Sequence, residues 1–117
     1  GYEVGSWMEG GLIHILGSVD QFAGVHMGGG EILIEGDSEG RLGANMRGGK
    51  IVLLGRTPLI LPSFTFEEVR ERATAGGQAF KGRFYLFRGD LTEEGDGRLF
   101  ISAEANPHLS FYERYLE

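Results

Sequence analysis

Methionines 8, 27 and 46 stand 19 residues apart, and thioethers bind copper(I), so this column is a first candidate for chemistry. No cysteine or histidine shares it, and a stacked ladder of core side chains explains it better, because methionine fills irregular gaps between packed layers. His14, His26 and His108 have no recognisable ligand spacing, and with scattered carboxylates they do not compose a metal site. The Gly24–Gly30 stretch superficially resembles a phosphate cradle. Such a loop needs a strand–loop–helix setting and, in the P-loop, Gly-Lys followed by Ser or Thr, whereas Gly49-Lys50 precedes Ile51 in a predicted strand. Ser6, Ser18, Ser38, Ser63, Ser102 and Ser110 lack a Gly-x-Ser-x-Gly elbow. The acids Glu93, Glu94 and Asp96 fall in a predicted turn, where solvation accounts for them. No catalytic residue, metal ligand or cofactor-binding residue is assigned.

Two features remain. Trp7, His26 and Asn45 form a column next to the methionines, expected to face outward; with Tyr2 it is the candidate interaction surface, since an exposed Trp–His pair is unusual. The competing explanation is that Trp7 packs over an open end of the fold. Asp90 closes the apolar run Phe87-Arg88-Gly89-Asp90-Leu91, and a carboxylate there must be hydrogen-bonded or hydrated. Capping of the turn backbone, with Gly89 permitting the bend, is its expected role.

The elements that position these residues follow from the period. Gly5, Gly24 and Gly43 form one column, Gly10, Gly29 and Gly48 a second, Gly11, Gly30 and Gly49 a third, and Gly17, Gly36 and Gly55 a fourth, all stepping by 19. A period in this range marks stacked units that bury their apolar faces against one another. Ile13-His14-Ile15, Ile32-Leu33-Ile34 and Ile51-Val52-Leu53 read as short strands bracketed by glycines, with the 13/32/51 and 15/34/53 columns inward. A further short strand is expected over residues 4–8 and its copies, the glycines acting as turns. The fold class expected is all-β: a right-handed parallel β-helix of about three 19-residue rungs, capped by a C-terminal helix plus β-hairpin.

Two parts are expected, repeats over 1–57 and a cap over 58–117. The columns 14/33/52 and 16/35/54 turn mostly apolar in the last copy, so the remainder of the chain should cover that outer face. Leu59–Pro62 reads as a crossing segment. Thr65-Phe66-Glu67-Glu68 has the pattern of a capping box, with Val69 and Ala73 at helical spacing and Gly76-Gly77 as a stop, which predicts a short helix at about 66–75. Residues 83–88 and 98–102 read as a hairpin, and Asn106 to Glu117 as a docking tail whose last two residues, Leu116 and Glu117, have the look of a cloning remnant. Because Gly1-Tyr2-Glu3 aligns with Asp20-Gln21-Phe22, the first rung is expected to be uncapped and to meet another chain, either a self-copy or a different subunit.

Glycine contributes 21 of 117 residues without a Gly-X-Y period, and the apolar fraction of 41% is ordinary for a globular chain. A formal charge of −6 without a basic stripe argues against nucleic acid. The longest apolar run falls far short of the about 20 residues that span a bilayer. With no secretory signal either, a cytoplasmic protein is expected. The lack of cysteine excludes disulfides and thiolate-held metals in this chain.

The columns Gly-x-x-Met-x-Gly-Gly-x-Ile-x-Ile-x-Gly resemble the GXGXG repeat shared by the C-terminal domain of glutamate synthase and the C-type subunit of formylmethanofuran dehydrogenase. Gly82-x-Phe84-Tyr85-x-Phe87-x-Gly89-Asp90-Leu91, followed by Gly97-x-Leu99-Phe100, is similar to the segment after the repeats in the latter family. The resemblance implies a right-handed β-helix and a non-catalytic scaffold subunit of an oxidoreductase or formyltransferase/hydrolase complex, in the one-carbon metabolism of methanogenesis or methylotrophy. It also implies that molybdenum or tungsten pterin, iron–sulfur clusters and a binuclear metal site belong to partner subunits, with no cofactor in this chain. The chain departs from that pattern in keeping only three repeats and lacking the family's N-terminal part. A glutamate synthase-type module that positions catalytic domains, and a small-molecule binder built on the Trp7/His26/Asn45 column, are the alternatives.

Overall fold

Residues 4–116 are described by a computed structural model. Strands β1 (Glu9–Ile15), β2 (Gly29–Ile34) and β3 (Lys50–Leu53) come from the three repeats, followed by β4 (Thr65–Ala75), β5 (Gln78–Gly89) and β6 (Gly97–Ser102). Two 3₁₀ helices, Leu91–Glu93 and Pro107–Leu116, complete the described chain. The six strands form one mixed sheet in the order β1-β2-β3-β6-β5-β4. Strands β1, β2, β3 and β6 pair in parallel, and β6–β5 and β5–β4 are antiparallel.

The antiparallel pairs overturn the right-handed parallel β-helix expected from the period. The three repeats do lie in register, with Ile13 beside Ile32 and Ile32 beside Ile51. Beyond residue 57 the spaced glycines that turn the chain every 19 residues are gone, so the backbone groups on the far side of β3 are satisfied by β6 instead, with Ile51 beside Leu99 and Leu53 beside Ile101. The sheet thus runs without a break from the repeats into the later part of the chain.

Two local expectations are also corrected. Residues 4–8 and their copies are tight turns rather than strands. The helix expected at 66–75 is strand β4, and Gly76-Gly77 is not a helix stop. It is the two-residue turn of a long hairpin that pairs Ala75 with Gln78, both glycines having positive φ (58° and 79°) as a type I′ turn requires. Phe66 decides the matter through packing: its ring lies 5.9 Å from that of Tyr85, 5.5 Å from Phe87 and 5.7 Å from Tyr112, contacts that a pleated strand beside β5 provides. The expected docking tail is the 3₁₀ segment Pro107–Leu116; Glu117 lies outside the described residues.

Apolar side chains are buried on both faces of the sheet. On one face Ile32, Ile34, Ile51, Leu53, Leu99 and Ile101 pack with Met27, Met46, Tyr85 and Phe87. On the other, Leu33, Val52 and Phe100 pack with Ala73, Ala75, Phe84 and Leu86. The β4–β5 hairpin curls over this second face and is fastened at its tip, where the Gly76 N–H donates to Glu31 Oε1 and Lys50 Nζ to Thr74 Oγ1. The Gly76 hydrogen bond, then that from Lys50, hold the Glu31 carboxyl below its ordinary pKa. Fully buried Asn106 ties the end of the third repeat to the C-terminal helix, accepting from Thr57 N–H and donating to the carbonyls of Gly55 and Ser102.

Candidate functional site: the turn column and the free edge of β1

The turn before each repeat strand places one non-glycine residue in the left-handed region: Trp7 (φ 62°), His26 (φ 56°) and Asn45 (φ 58°). Asparagine and histidine tolerate that conformation, whereas the bulk of tryptophan makes it costly. Backbone hydrogen bonds hold the turns one above another, Trp7 N–H to Val25 O at 2.9 Å and His26 N–H to Ala44 O at 2.9 Å. The Trp7 and His26 rings therefore stack, with centroids 4.1 Å apart and planes 4° from parallel.

Among the described residues the column is closed at one end only. Asn45 N–H donates to Asp90 Oδ2 at 2.8 Å, and its side-chain amide donates to Glu93 Oε2. At the other end Trp7 remains 62% exposed, with one ring face against His26 and the rest open. Tyr2, expected in the same surface, lies outside the described residues. Met8, Met27 and Met46 lie inside, Met27 and Met46 fully buried and Met8 packed against the same core.

Asp90 is buried and accepts from Asn45 N–H, Thr92 N–H and Thr92 Oγ1. Burial raises the pKa of its carboxyl, but the hydrogen bonds from Thr92, Asn45 and Ser63 outweigh that and bring the net value below the ordinary one. Its geometry is that of a brace: it caps the Leu91–Glu93 turn and locks that turn to the third repeat. The three histidines are apart. His14 pairs with Glu35 on the surface, His26 lies under Trp7, and His108 Nε2 meets Thr57 O at 2.7 Å. Among the described residues no cluster of three or more His, Asp or Glu is placed to hold a metal ion. No helix among them is long and apolar enough to cross a membrane.

Strand β1 ends the sheet, and its side opposite β2 has no strand on it among the described residues. Five of its seven residues are exposed; Leu12 within the strand, Trp7 before it and Leu16 after it are exposed apolar side chains. Glu9 at its start reaches across two repeats to Arg47, 2.9 Å away. The exposure of Leu12 follows from its column, whose other members, Glu31 and Lys50, are charged; that of Leu16, aligned with Glu35 and Leu54, does not. Nothing in the sequence singles out Asn106.

A second concave region lies between β4 and the C-terminal helix, lined by Phe64, Thr65, Phe66, Tyr112 and Tyr115. It is a shallow aromatic hollow without a charged group. No protein-family model matches this chain, and no curated protein matches its sequence.

Proposed function

We propose that this chain is an assembly subunit, a scaffold of the kind that the C-type subunit provides in formylmethanofuran dehydrogenase or in the formyltransferase/hydrolase complex of one-carbon metabolism. The observation that carries the assembly reading is the edge of β1, which has no further strand on it among the described residues and bears exposed Leu12, with exposed Trp7 before the strand and Leu16 after it. Unpaired strand groups next to apolar side chains are templates for another chain, and a protein that keeps such an edge long and uncharged at its centre is using it. The one-carbon assignment rests on the repeat and on the Gly82–Leu91 segment, whose Asp90 braces the third repeat. In this reading the pterin metal, iron–sulfur clusters and binuclear site belong to partner subunits, and the complex is cytoplasmic.

Affinity purification of the tagged chain from its source organism tests the assignment. Stoichiometric recovery with formyltransferase, amidohydrolase or metal–pterin subunits is the expected result. Recovery with amidotransferase subunits would assign it to the glutamate synthase type instead, and a chain that stays monomeric and alone would refute the scaffold role.

A further inference from the structure

Two cations stand opposite each other on the β4–β5 hairpin. Arg72 and Lys81 are register partners, both exposed, and neither has an ion pair among the described residues. Like charges directly opposite in an antiparallel pair are destabilising. The sheet holds a second such pair, Arg88 beside Arg98, and there the chain supplies the counter-charge: Glu67 lies 3.3 Å and Asp96 3.4 Å from Arg88. The neighbouring cations Arg70 and Arg83 are likewise matched, by Glu68 at 3.2 Å and Glu113 at 2.9 Å. In a chain with 17 acids against 11 bases, Arg72 and Lys81 are not left bare for want of carboxylates.

The backbone is shaped at the same place. Arg70 lies beside Phe84 and Arg72 beside Lys81, so one residue of β4, Glu71, faces two of β5, Gly82 and Arg83. Gly82 takes φ 138°, which glycine adopts without a Cβ clash. A Cβ there would also sit 2.8 Å from Glu104 Oε1. Such a bulge bends its strand and re-aims side chains, and bulges gather beside functional sites. Beside this one lies an open concavity lined by Arg70, Glu71, Arg72, Lys81 and Gly82. Arg70 is engaged by Glu68, which leaves Arg72 and Lys81 as the uncompensated cations of the lining.

We propose that this concavity binds a small phosphorylated molecule, with the phosphate between Arg72 and Lys81. Two opposed cations are matched by one group with two negative charges, and a phosphate monoester carries about −1.5 to −2 at neutral pH. The guanidinium of Arg72 offers a planar fork for two phosphate oxygens, and the ammonium of Lys81 a compact charge for the third. Glu71, the one carboxylate of the lining, disfavours a polyphosphate and suits a hydroxyl on the organic part. The site does not depend on the assembly reading.

The test is a titration of the isotope-labelled full chain with inorganic phosphate and with glycerol 3-phosphate, followed by amide chemical shifts. Saturable shifts confined to residues 70–72 and 81–83 are expected, with half-saturation at about 1–10 mM and the organic phosphate the tighter of the two. Arg72→Gln and Lys81→Gln each weaken binding about fivefold or more, whereas Arg98→Gln leaves it unchanged. Acetate and chloride at the same ionic strength give no saturable shift at these residues. Without phosphate, Arg72→Gln melts no lower than the parent, because it removes a like-charge contact; with phosphate the parent gains in melting temperature and the variant does not. Shifts that do not saturate, that appear equally at Arg41, Arg56 and Arg98, or that survive in Arg72→Gln overturn the inference. Equal affinity for the two probes would mark a site for an inorganic anion and overturn the assignment to an organic phosphate. An Arg72→Gln protein clearly less stable than the parent in phosphate-free buffer overturns it as well, since Arg72 would then be held by the chain itself.

Discussion

Leu33→Ala separates the mixed sheet from an open stack of repeats. Leu33 points away from the face that holds Ile32 and Ile51, so in a stack with a solvated outer face its truncation would cost little. In the folded chain it is 1% exposed beneath the curled β4–β5 hairpin, in a cluster with Val52, Ala73, Ala75, Phe84 and Phe100. Its removal leaves a cavity bounded by two strands and the hairpin, for which about 2–5 kcal/mol is the usual cost. For 117 residues an unfolding entropy of about 2.1 cal/mol/K per residue makes each kcal/mol worth about 4 °C. Leu33→Ala should therefore lower the melting temperature by about 8–20 °C, as should Ile32→Ala on the opposite face. Leu12→Ala, at a half-exposed position beside the hairpin tip at Gly76, should cost about 1 kcal/mol or less and shift it by about 4 °C at most. Differential scanning calorimetry on the three variants decides the matter. A Leu33→Ala protein as stable as Leu12→Ala would mean that the hairpin does not cover the outer face, and the fold described above would fall.

Asn106→Ala orphans the Thr57 N–H and two carbonyls in a fully buried site and should cost on the order of 3 kcal/mol by urea unfolding, with Asn106→Asp no better; a loss below about 1 kcal/mol would refute the bracing role. Asp90 has a folded pKa below its unfolded one, so the stability it contributes is present above about pH 4 and is lost as pH falls through the folded value. Acid unfolding of Asp90→Asn should accordingly show a shallower pH dependence below about pH 4 than the parent does, and an unchanged slope would refute it. Tyr85 is pushed up to about 12 by burial and by the hydrogen bond it donates to Glu113, so its contribution is full below the ordinary tyrosine pKa of about 10 and is lost as pH rises through about 12. Phenolate absorbance should show a late step that Tyr85→Phe removes; ionisation of Tyr85 near the ordinary tyrosine value of about 10 would contradict the burial.

What is legible in the sequence is whatever the period carries. Ile13, Ile32 and Ile51 lie side by side because glycine-bracketed strands at one spacing can satisfy their backbones only against each other. Beyond residue 57 local patterns are ambiguous. Thr65-Phe66-Glu67-Glu68 suits a helix start, and Gly76-Gly77 suits either a helix end or a type I′ turn. The alternation of buried Ala73 and Ala75 with exposed Thr74 is the strand signal, too short to outweigh a helical one. Pairing of β3 with β6 spans about fifty residues and depends on the fit of Leu99 and Ile101 beneath Ile51 and Leu53, which no local window encodes. Asn106 is invisible for the same reason: its partners Gly55 and Thr57 are 51 and 49 residues away. Trp7 and His26 are legible as neighbours through the period, while the closure of their column by Asp90 and Glu93 is not.

The two sides of the repeat stack are treated differently, and the difference is informative. Below β3 the chain spends half its length on closure: β6 continues the parallel pairing, β5 and β4 reverse direction, Asp90 fixes the last turn and Asn106 the last corner. Above β1 the described residues provide no such device, although the first repeat retains the glycines, the methionine and the isoleucines of the other two. Repeat stacks need closure at both ends, since an open strand edge invites uncontrolled pairing. Both outer strands, β1 and β4, keep one side without a strand among the described residues, so the closure of the repeats lies at the joint of β3 with β6 and not at the edge of the sheet.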